Sequence, residues 1–393
     1  MSSSLLIQNV NIVDVVVGDV IPCQSIYIKD GLIKLIQNSG SFSMPDSTDV
    51  VNFEEELWAI PGLIDSHAHV MEEADEILAR KFKFDEPLGD AINRALKNIN
   101  SALQAGITTI RDVGAYGGRN NIVRDLLERE PGIYKFRLLS CGNHVTVVGG
   151  HWADRGRAWN QVESLSKHVQ EEINRGADFI KVMNDDVIFN LNQLKEIVET
   201  AHYNNKKVAC HALSKSSILL ALHAKADTIE HAFPITDFMI RQIKKQNTFL
   251  CPTFVAAYDT IYAPNITAVL SAFPDCSYDE FKEWYNLLLE NIPKAFKNGI
   301  NVLAGTDAGT IPTPFNSIHR EMDFFTQLGA SNLDALRTAT INPARAFGLE
   351  KKIGSLEVGK SADIVVLGSN PLIGNIKDAF ETMKMVISRG YVV

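Results

Sequence analysis

Six polar side chains, each closing a short apolar run, constrain this chain most. They are His67 and His69 in PGLIDSHAH, Lys181 in DFIKVM, His211 in VACHA, His231 in TIEHA and Asp307 in LAGTDAG. The runs that carry them alternate with helix-period stretches such as DAINRALKNINSALQAG, QVESLSKHVQEEINRGA and NLNQLKEIVETAHYNN. Apolar runs of strand length, each followed by a helical pattern, predict parallel βα units. Eight strands are expected at 59–66, 107–113, 136–142, 178–183, 206–211, 227–231, 248–253 and 301–306. Gly106, Gly176 and Gly299 stand where the helix C-caps would fall. This count over about 290 residues is that of a (β/α)8 TIM barrel. A doubly wound open sheet is the structural alternative. It would spread the ends of strands one, four, five, six and eight too widely to share a site, whereas a barrel converges them.

The two ends of the chain lack helical periodicity. LLIQNVNIVD, SIYIKDGLIKLI and TDVVNF at the start, and SADIVVLG, ETMKMVIS and GYVV at the end, read as strands separated by turns. The expected organisation is a small β-sandwich domain made of residues 1–58 and 349–393, interrupted by the barrel at 59–348. The fold class is therefore α/β. Two connections are long, 143–160 and 254–280, and on the mouth of a barrel they would wall a pocket.

The 393 residues are 46% hydrophobic, enough for a large core, and the formal net charge is −9. An acidic balance disfavours a nucleic-acid partner. No apolar run is long enough to span a membrane, and MSSSLLIQNV has neither the basic start nor the apolar stretch of a signal peptide. The five cysteines are scattered, with neither a disulfide framework nor zinc-finger spacing, which fits a reducing cytoplasm. A small-molecule substrate is the expected partner, and self-association into a homo-oligomer is compatible with this composition.

A His-x-His pair on a strand puts both imidazoles on one face. By itself that is a weak signal. The recurrence of His211, His231 and Asp307 at later strand ends makes it a ligand set for a divalent ion such as zinc. Lys181 in isolation would read as a lysine snorkelling from a strand end. Beside two dications an ammonium would be strongly repelled, so this lysine must be neutral or chemically modified.

The order His-x-His, Lys, His, His, Asp resembles the binuclear branch of the amidohydrolase superfamily. IPGLIDSHAH, GITTIRDVGA, NPARAFGL and IGSLEVGKSADIVVLGSNPL look like its imidazolonepropionase-like group, which includes Xaa-Pro dipeptidases and related carboxypeptidases. The resemblance implies two divalent metal ions. His67, His69 and Asp307 would hold the buried one and His211 and His231 the second. Lys181, carboxylated, would bridge them. It implies hydrolysis of an amide, with Asp307 moving a proton from the attacking water to the leaving nitrogen, in a dipeptide or N-acyl amino acid with a free carboxylate on the leaving side. His151, in Gly-Gly-His, corresponds to a residue that contacts the reacting carbonyl.

Other residues admit two readings each. His144, Arg155 and Arg157 are candidate anion donors or parts of a solvated turn, and Tyr258 and Tyr262 are candidate pocket residues. Arg111-Asp112 reads as a barrel ion pair. Two positions depart from the family pattern: Leu213 stands where relatives often have a tyrosine or histidine, and Asp185-Asp186 follow Lys181. These acids either face the pocket or cap the following helix, with capping the preferred reading. The alternative function is a mononuclear deaminase or imidazolone-type ring hydrolase, which would not need Lys181. A metal-free scaffold is the alternative from another class, and six retained ligands argue against it.

Overall fold

A computed structural model describes residues 4–39, 48–75, 86–130, 135–155, 157–185, 188–272 and 276–393. Asp186 lies outside the described residues. The chain opens with β1 (Ser4–Val13), β2 (Val20–Lys29), β3 (Leu32–Asn38) and β4 (Asp49–Pro61). The middle supplies β5 (Leu63–Ala68), β6 (Ile107–Asp112), β7 (Arg137–Ser140), β8 (Ile180–Met183), β9 (Val208–Ala212), β10 (Thr228–His231) and β11 (Phe249–Cys251). The end adds β12 (Ile364–Leu367), β13 (Met383–Ser388) and β14 (Tyr391–Val392).

The strands of both termini lie in one seven-stranded sheet, ordered β14-β13-β12-β4-β1-β2-β3, where two stacked sheets were expected. β4 joins the two ends of the chain: it runs parallel to β1 (Ile12 opposite Ala59) and antiparallel to β12 (Ile364 opposite Pro61). The sheet curls on itself, because Ile33 N–H donates to the Lys360 carbonyl and Gly359 N–H to the Ile33 carbonyl across it. A second layer is unnecessary when one sheet can wrap its own apolar face. Ile7, Val10, Ile26, Ile28, Leu57, Ile364 and Ile387 fill the inside as a core of their own.

β5-β6-β7 form one parallel sheet and β8-β9-β10-β11 another. Every residue of β5, β6, β8, β9, β10 and β11 is buried, as in a sheet covered on both faces. The ladders do not close into a barrel. Single bridges join the two sheets, Val145 to Val182 on one side, and Leu250 to Val302 and Ala68 to Ala308 on the other. The expected eighth strand at 301–306 is this extended bridging segment, not a laddered strand. Ala304 N–H donates to Thr338 O instead of to a neighbouring strand, and Asp307 turns to a left-handed φ of 55°.

The three quoted helical patterns form Leu88–Gln104, Leu165–Asn174 and Leu191–Tyr203. Gly106, Gly176 and Gly299 follow helices with φ of 80°, 97° and 64°, as C-cap glycines do. Segment 254–280 is not a loop throughout: helices Phe254–Ile261 and Ile266–Ala272 occupy much of it. The described residues of segment 143–160 are irregular, tied by a bridge between Val147 and Trp159. Among the described residues no helix is long and apolar enough to cross a membrane.

Candidate metal centre

All six ligand candidates line one cavity of about 280 Å³ at the C-terminal ends of the parallel strands. His67 lies on β5 and His69 just past it, Lys181 on β8, His211 on β9, and His231 ends β10. Asp307 is fixed by its own N–H donating to the His67 carbonyl at 2.7 Å. Its neighbour Gly309 passes so close to His69 that a Cβ would lie 2.3 Å from the His69 carbonyl oxygen. His231, Thr253 and Asp307 have φ of 67°, 50° and 55°, a conformation costly for non-glycine residues, which clusters here at the strand mouths. A roomier surface hollow of about 810 Å³ lies against β13 and the C-terminus. None of the candidate ligands lines it, so size alone does not locate the site.

The imidazoles are oriented from behind. His67 Nδ1 meets Glu230 Oε2 at 2.7 Å, His69 Nδ1 meets the Gly114 carbonyl at 2.8 Å, and His231 Nδ1 meets Thr253 Oγ1 at 2.8 Å. Each leaves Nε2 for the cavity, the usual arrangement around a metal-binding histidine. Asp307 Oδ1 lies 3.3 Å from His69 Nε2 and 3.6 Å from His67 Nε2. The ring centres of His67 and His231 are 4.9 Å apart, and those of His211 and His231 4.4 Å. The ligand atoms of His67, His69 and Asp307 lie within 4.8 Å of one another, as do those of His151, Asp185 and His211.

The protonation states also suit a cation. Burial pushes His67 down to about 4, aided by Lys181, and lowers His211 and His231. His69 moves upward: burial lowers it, but Asp307 and Glu72 outweigh burial. Burial lowers the Lys181 amine as well, with Glu230 and Asp307 pulling against it. Burial would raise the Asp307 carboxyl, yet His67, His69 and His231 hold it well below its ordinary value. Neutral imidazoles at His67, His211 and His231, an ionised Asp307 and a lysine drawn toward neutrality are the forms in which these groups bind metal or react, while a cation would displace the proton that Asp307 and Glu72 favour on His69. The residues therefore fit a metal centre.

The flanking candidates divide. His151 lines the cavity, its Nδ1 2.8 Å from Asp185 Oδ2. Asp185 faces the cavity and does not cap the next helix; Asn190 caps Leu191–Tyr203 in a box with Gln193. His144 is buried behind the wall, its Nε2 on the Trp152 carbonyl at 3.0 Å, and does not line the cavity. Tyr258 turns away to Tyr262 and Phe324, at ring distances of 4.6 and 4.8 Å, while Ala257 and Thr260 of the same helix face inward. Arg155 binds Glu72 at 2.9 Å and stacks on Trp152, and Arg157 binds Glu163 at 2.7 Å. Both arginines already have carboxylates. Leu213 is on the wall.

Arg111 and Asp112 are not each other's partners. Neighbours on a strand point to opposite faces. Arg111 donates to Glu230 at 2.7 and 2.8 Å, while Asp112 accepts from Val70 N–H, Gly114 N–H and Asn120. Glu230 itself was missed. Only its place directly before His231, as a charge inside an otherwise apolar run, could have signalled it. The apolar wall was missed too: Phe233 stacks on Trp284 at 5.4 Å, and Phe281 meets Trp284 edge-on at 5.1 Å.

Residues 58–393 match the amidohydrolase family. The chain is 24% identical over 363 residues to the imidazolonepropionase of Fusobacterium nucleatum subsp. nucleatum, covering 81% of this chain and 78% of that protein. It is 25% identical over 352 residues to the ochratoxinase of Aspergillus niger, covering 80% and 70%. Its fold is that of a Xaa-Pro dipeptidase crystallised with methionine in its active site, with a TM-score of 0.86 at 22% identity over the whole of both chains.

Proposed function

Since the chain belongs to the amidohydrolase family and is a hydrolase of C–N bonds, we propose that it is a binuclear metal-dependent enzyme cleaving the amide of a dipeptide or N-acyl amino acid. The observation that carries this is the convergence of six side chains, from four strand ends and the extended segment before Asp307, on one cavity. In this reading residues 59–348 form one catalytic domain of the (β/α)8 type, and 1–58 with 349–393 form a second domain. The enzyme works in the cytoplasm.

His67, His69 and Asp307 would hold one cation and His211 and His231 the other, with a carboxylated Lys181 supplying a further oxygen ligand. Zinc suits this donor set. When bound, the two ions acidify a water and polarise the scissile carbonyl. The protein does the rest. Asp307, held ionised, takes a proton from the attacking water and delivers it to the leaving nitrogen. Glu230 keeps His67 in the tautomer that turns Nε2 to the cavity. His151 reaches the reacting carbonyl from the loop. Trp152, Phe233 and Trp284 exclude water and offer an apolar wall. That wall favours substrates with an aromatic or branched apolar group beside the amide. The mononuclear, ring-opening alternative is favoured by the imidazolonepropionase similarity.

Metal content separates the two. The purified protein should carry close to two divalent ions per chain. Lys181→Ala should lose one of them and nearly all hydrolysis of an N-acyl amino-acid panel, with partial recovery in short carboxylic acids that replace the carbamate. One ion in the wild type, or a Lys181→Ala protein with full metal and rate, would refute the binuclear reading.

A further inference from the structure

The turn after Lys181 brings a carboxylate to the metal cavity that the family ligand order does not contain. Met183 closes β8. Asn184 N–H then donates to the His211 carbonyl at 3.2 Å, and the Asn184 side chain accepts from Phe189 N–H at 3.0 Å. The chain is thereby pinned across the end of β9, and Asp185 is set over His211.

Asp185 Oδ1 lies 2.6 Å from His211 Nε2, and Oδ2 lies 2.8 Å from His151 Nδ1. Both are close charge contacts between a carboxylate and an imidazole. His211 Nε2 and both Asp185 oxygens are buried without a hydrogen-bonding partner. His211 is 7% exposed. Buried polar atoms are normally satisfied. Three donors of imidazole and carboxylate type, from two strand ends and a loop, converge within 4.8 Å. That is the arrangement of ligands around a shared cation.

We propose that Asp185, with His151 beside it, belongs to the coordination of the second cation, adding a carboxylate to His211, His231 and the modified Lys181. The inference rests on the binuclear reading and extends it. Its consequence is electrostatic. Two dications contribute four positive charges; Asp307, the carbamate and Asp185 remove three, and a hydroxide removes the last. The working centre is then close to neutral, where Asp307 and the carbamate without Asp185 would leave it near +1. Among the described residues, Arg155 and Arg157 are committed to Glu72 and Glu163, so neither adds to the pull on a substrate carboxylate.

The test is titration of metal-depleted protein with Co2+ alone, read by the visible absorption of the bound ion and by equilibrium dialysis, for the wild type, Asp185→Asn and His151→Gln. The wild type should take up two equivalents. Asp185→Asn should bind the first as before and the second at least about tenfold more weakly, since removing even an outer partner of a ligand costs 10–100-fold. Its second-ion spectrum should change. His151→Gln should weaken the same equivalent. A wild type that binds one Co2+ would defeat the binuclear reading. A wild type with two and an Asp185→Asn protein with the same two affinities and spectra would defeat this inference alone. So would an unchanged second equivalent with a raised KM for substrates bearing a free ammonium, which would make Asp185 a substrate contact.

Discussion

Replacing Glu230 by Gln isolates the support beneath the candidate metal centre. Glu230 is fully buried and accepts from Arg111 at 2.7 and 2.8 Å, from His67 Nδ1 at 2.7 Å, and from Thr228. Arg111 is itself 3% exposed, held between the Phe347 and Phe179 rings at 4.7 and 5.4 Å. Glutamine keeps the volume and one acceptor but removes the charge. Its amide NH2 then faces either the guanidinium or the His67 N–H, donor against donor. Breaking a buried ion pair from one side costs about 3–5 kcal/mol. The orphaned donor on His67 would cost about 1–3 kcal/mol alone. The two overlap, because both follow from one missing oxygen charge, so a loss of about 3–5 kcal/mol is expected. Against a total stability of roughly 5–15 kcal/mol the protein stays folded but softened. Urea unfolding of metal-free wild type and variant, both in chelator, reads this term without the stabilisation that bound metal adds. Metal competition then reads the second consequence. His67 loses the partner that fixes its tautomer, so affinity for the first cation should fall about 10–100-fold. A variant within about 1 kcal/mol of wild type that also binds metal as tightly would show that Glu230 neither balances Arg111 nor orients His67.

Asp307→Asn should keep the fold, since the volumes match, and lower kcat by on the order of 10² or more; steady-state rates at saturating substrate check this, and a wild-type kcat would remove Asp307 from proton transfer. His319 stacks on Phe380 at 4.3 Å with Nε2 on the Ala105 carbonyl at 2.6 Å, and burial pushes it down to about 4. A base whose folded value is depressed contributes stability above its unfolded value near 6.5 that is lost as pH falls toward about 4. Wild type should therefore lose stability relative to His319→Gln between pH 6.5 and 4, and a pH-independent difference in unfolding midpoints would contradict it.

Much of this protein is legible in its residues taken one run at a time. Strands β8, β9 and β10 stand where DFIKVM, VACHA and TIEHA place them, because an apolar run of strand length between helical patterns has few other places to go. The six polar residues at the ends of such runs meet in one cavity because parallel strands present their C-terminal ends together. Gly106, Gly176 and Gly299 were readable as caps from local backbone preference alone.

What stayed hidden depends on partners distant in the chain. His67 and Glu230 are 163 residues apart, and Arg111 and Glu230 are 119 apart. Nothing local to Glu230 distinguishes a paired buried acid from a misplaced one. The helical patterns in 254–280 passed for a long loop because they are short. Asp185 read as a helix cap because Asp at such a place commonly is one; Asn190 with Gln193 took that role and left Asp185 to the cavity. Arg155 and Arg157 looked like donors for a substrate until Glu72 and Glu163 were seen to occupy them. Residue type and spacing determined which side chains come to the strand ends, since those follow from period and direction. Only the tertiary structure decided which of them pair with one another and which remain open toward a cation, since pairing depends on ångström-scale approach between segments that the chain brings together only when it folds.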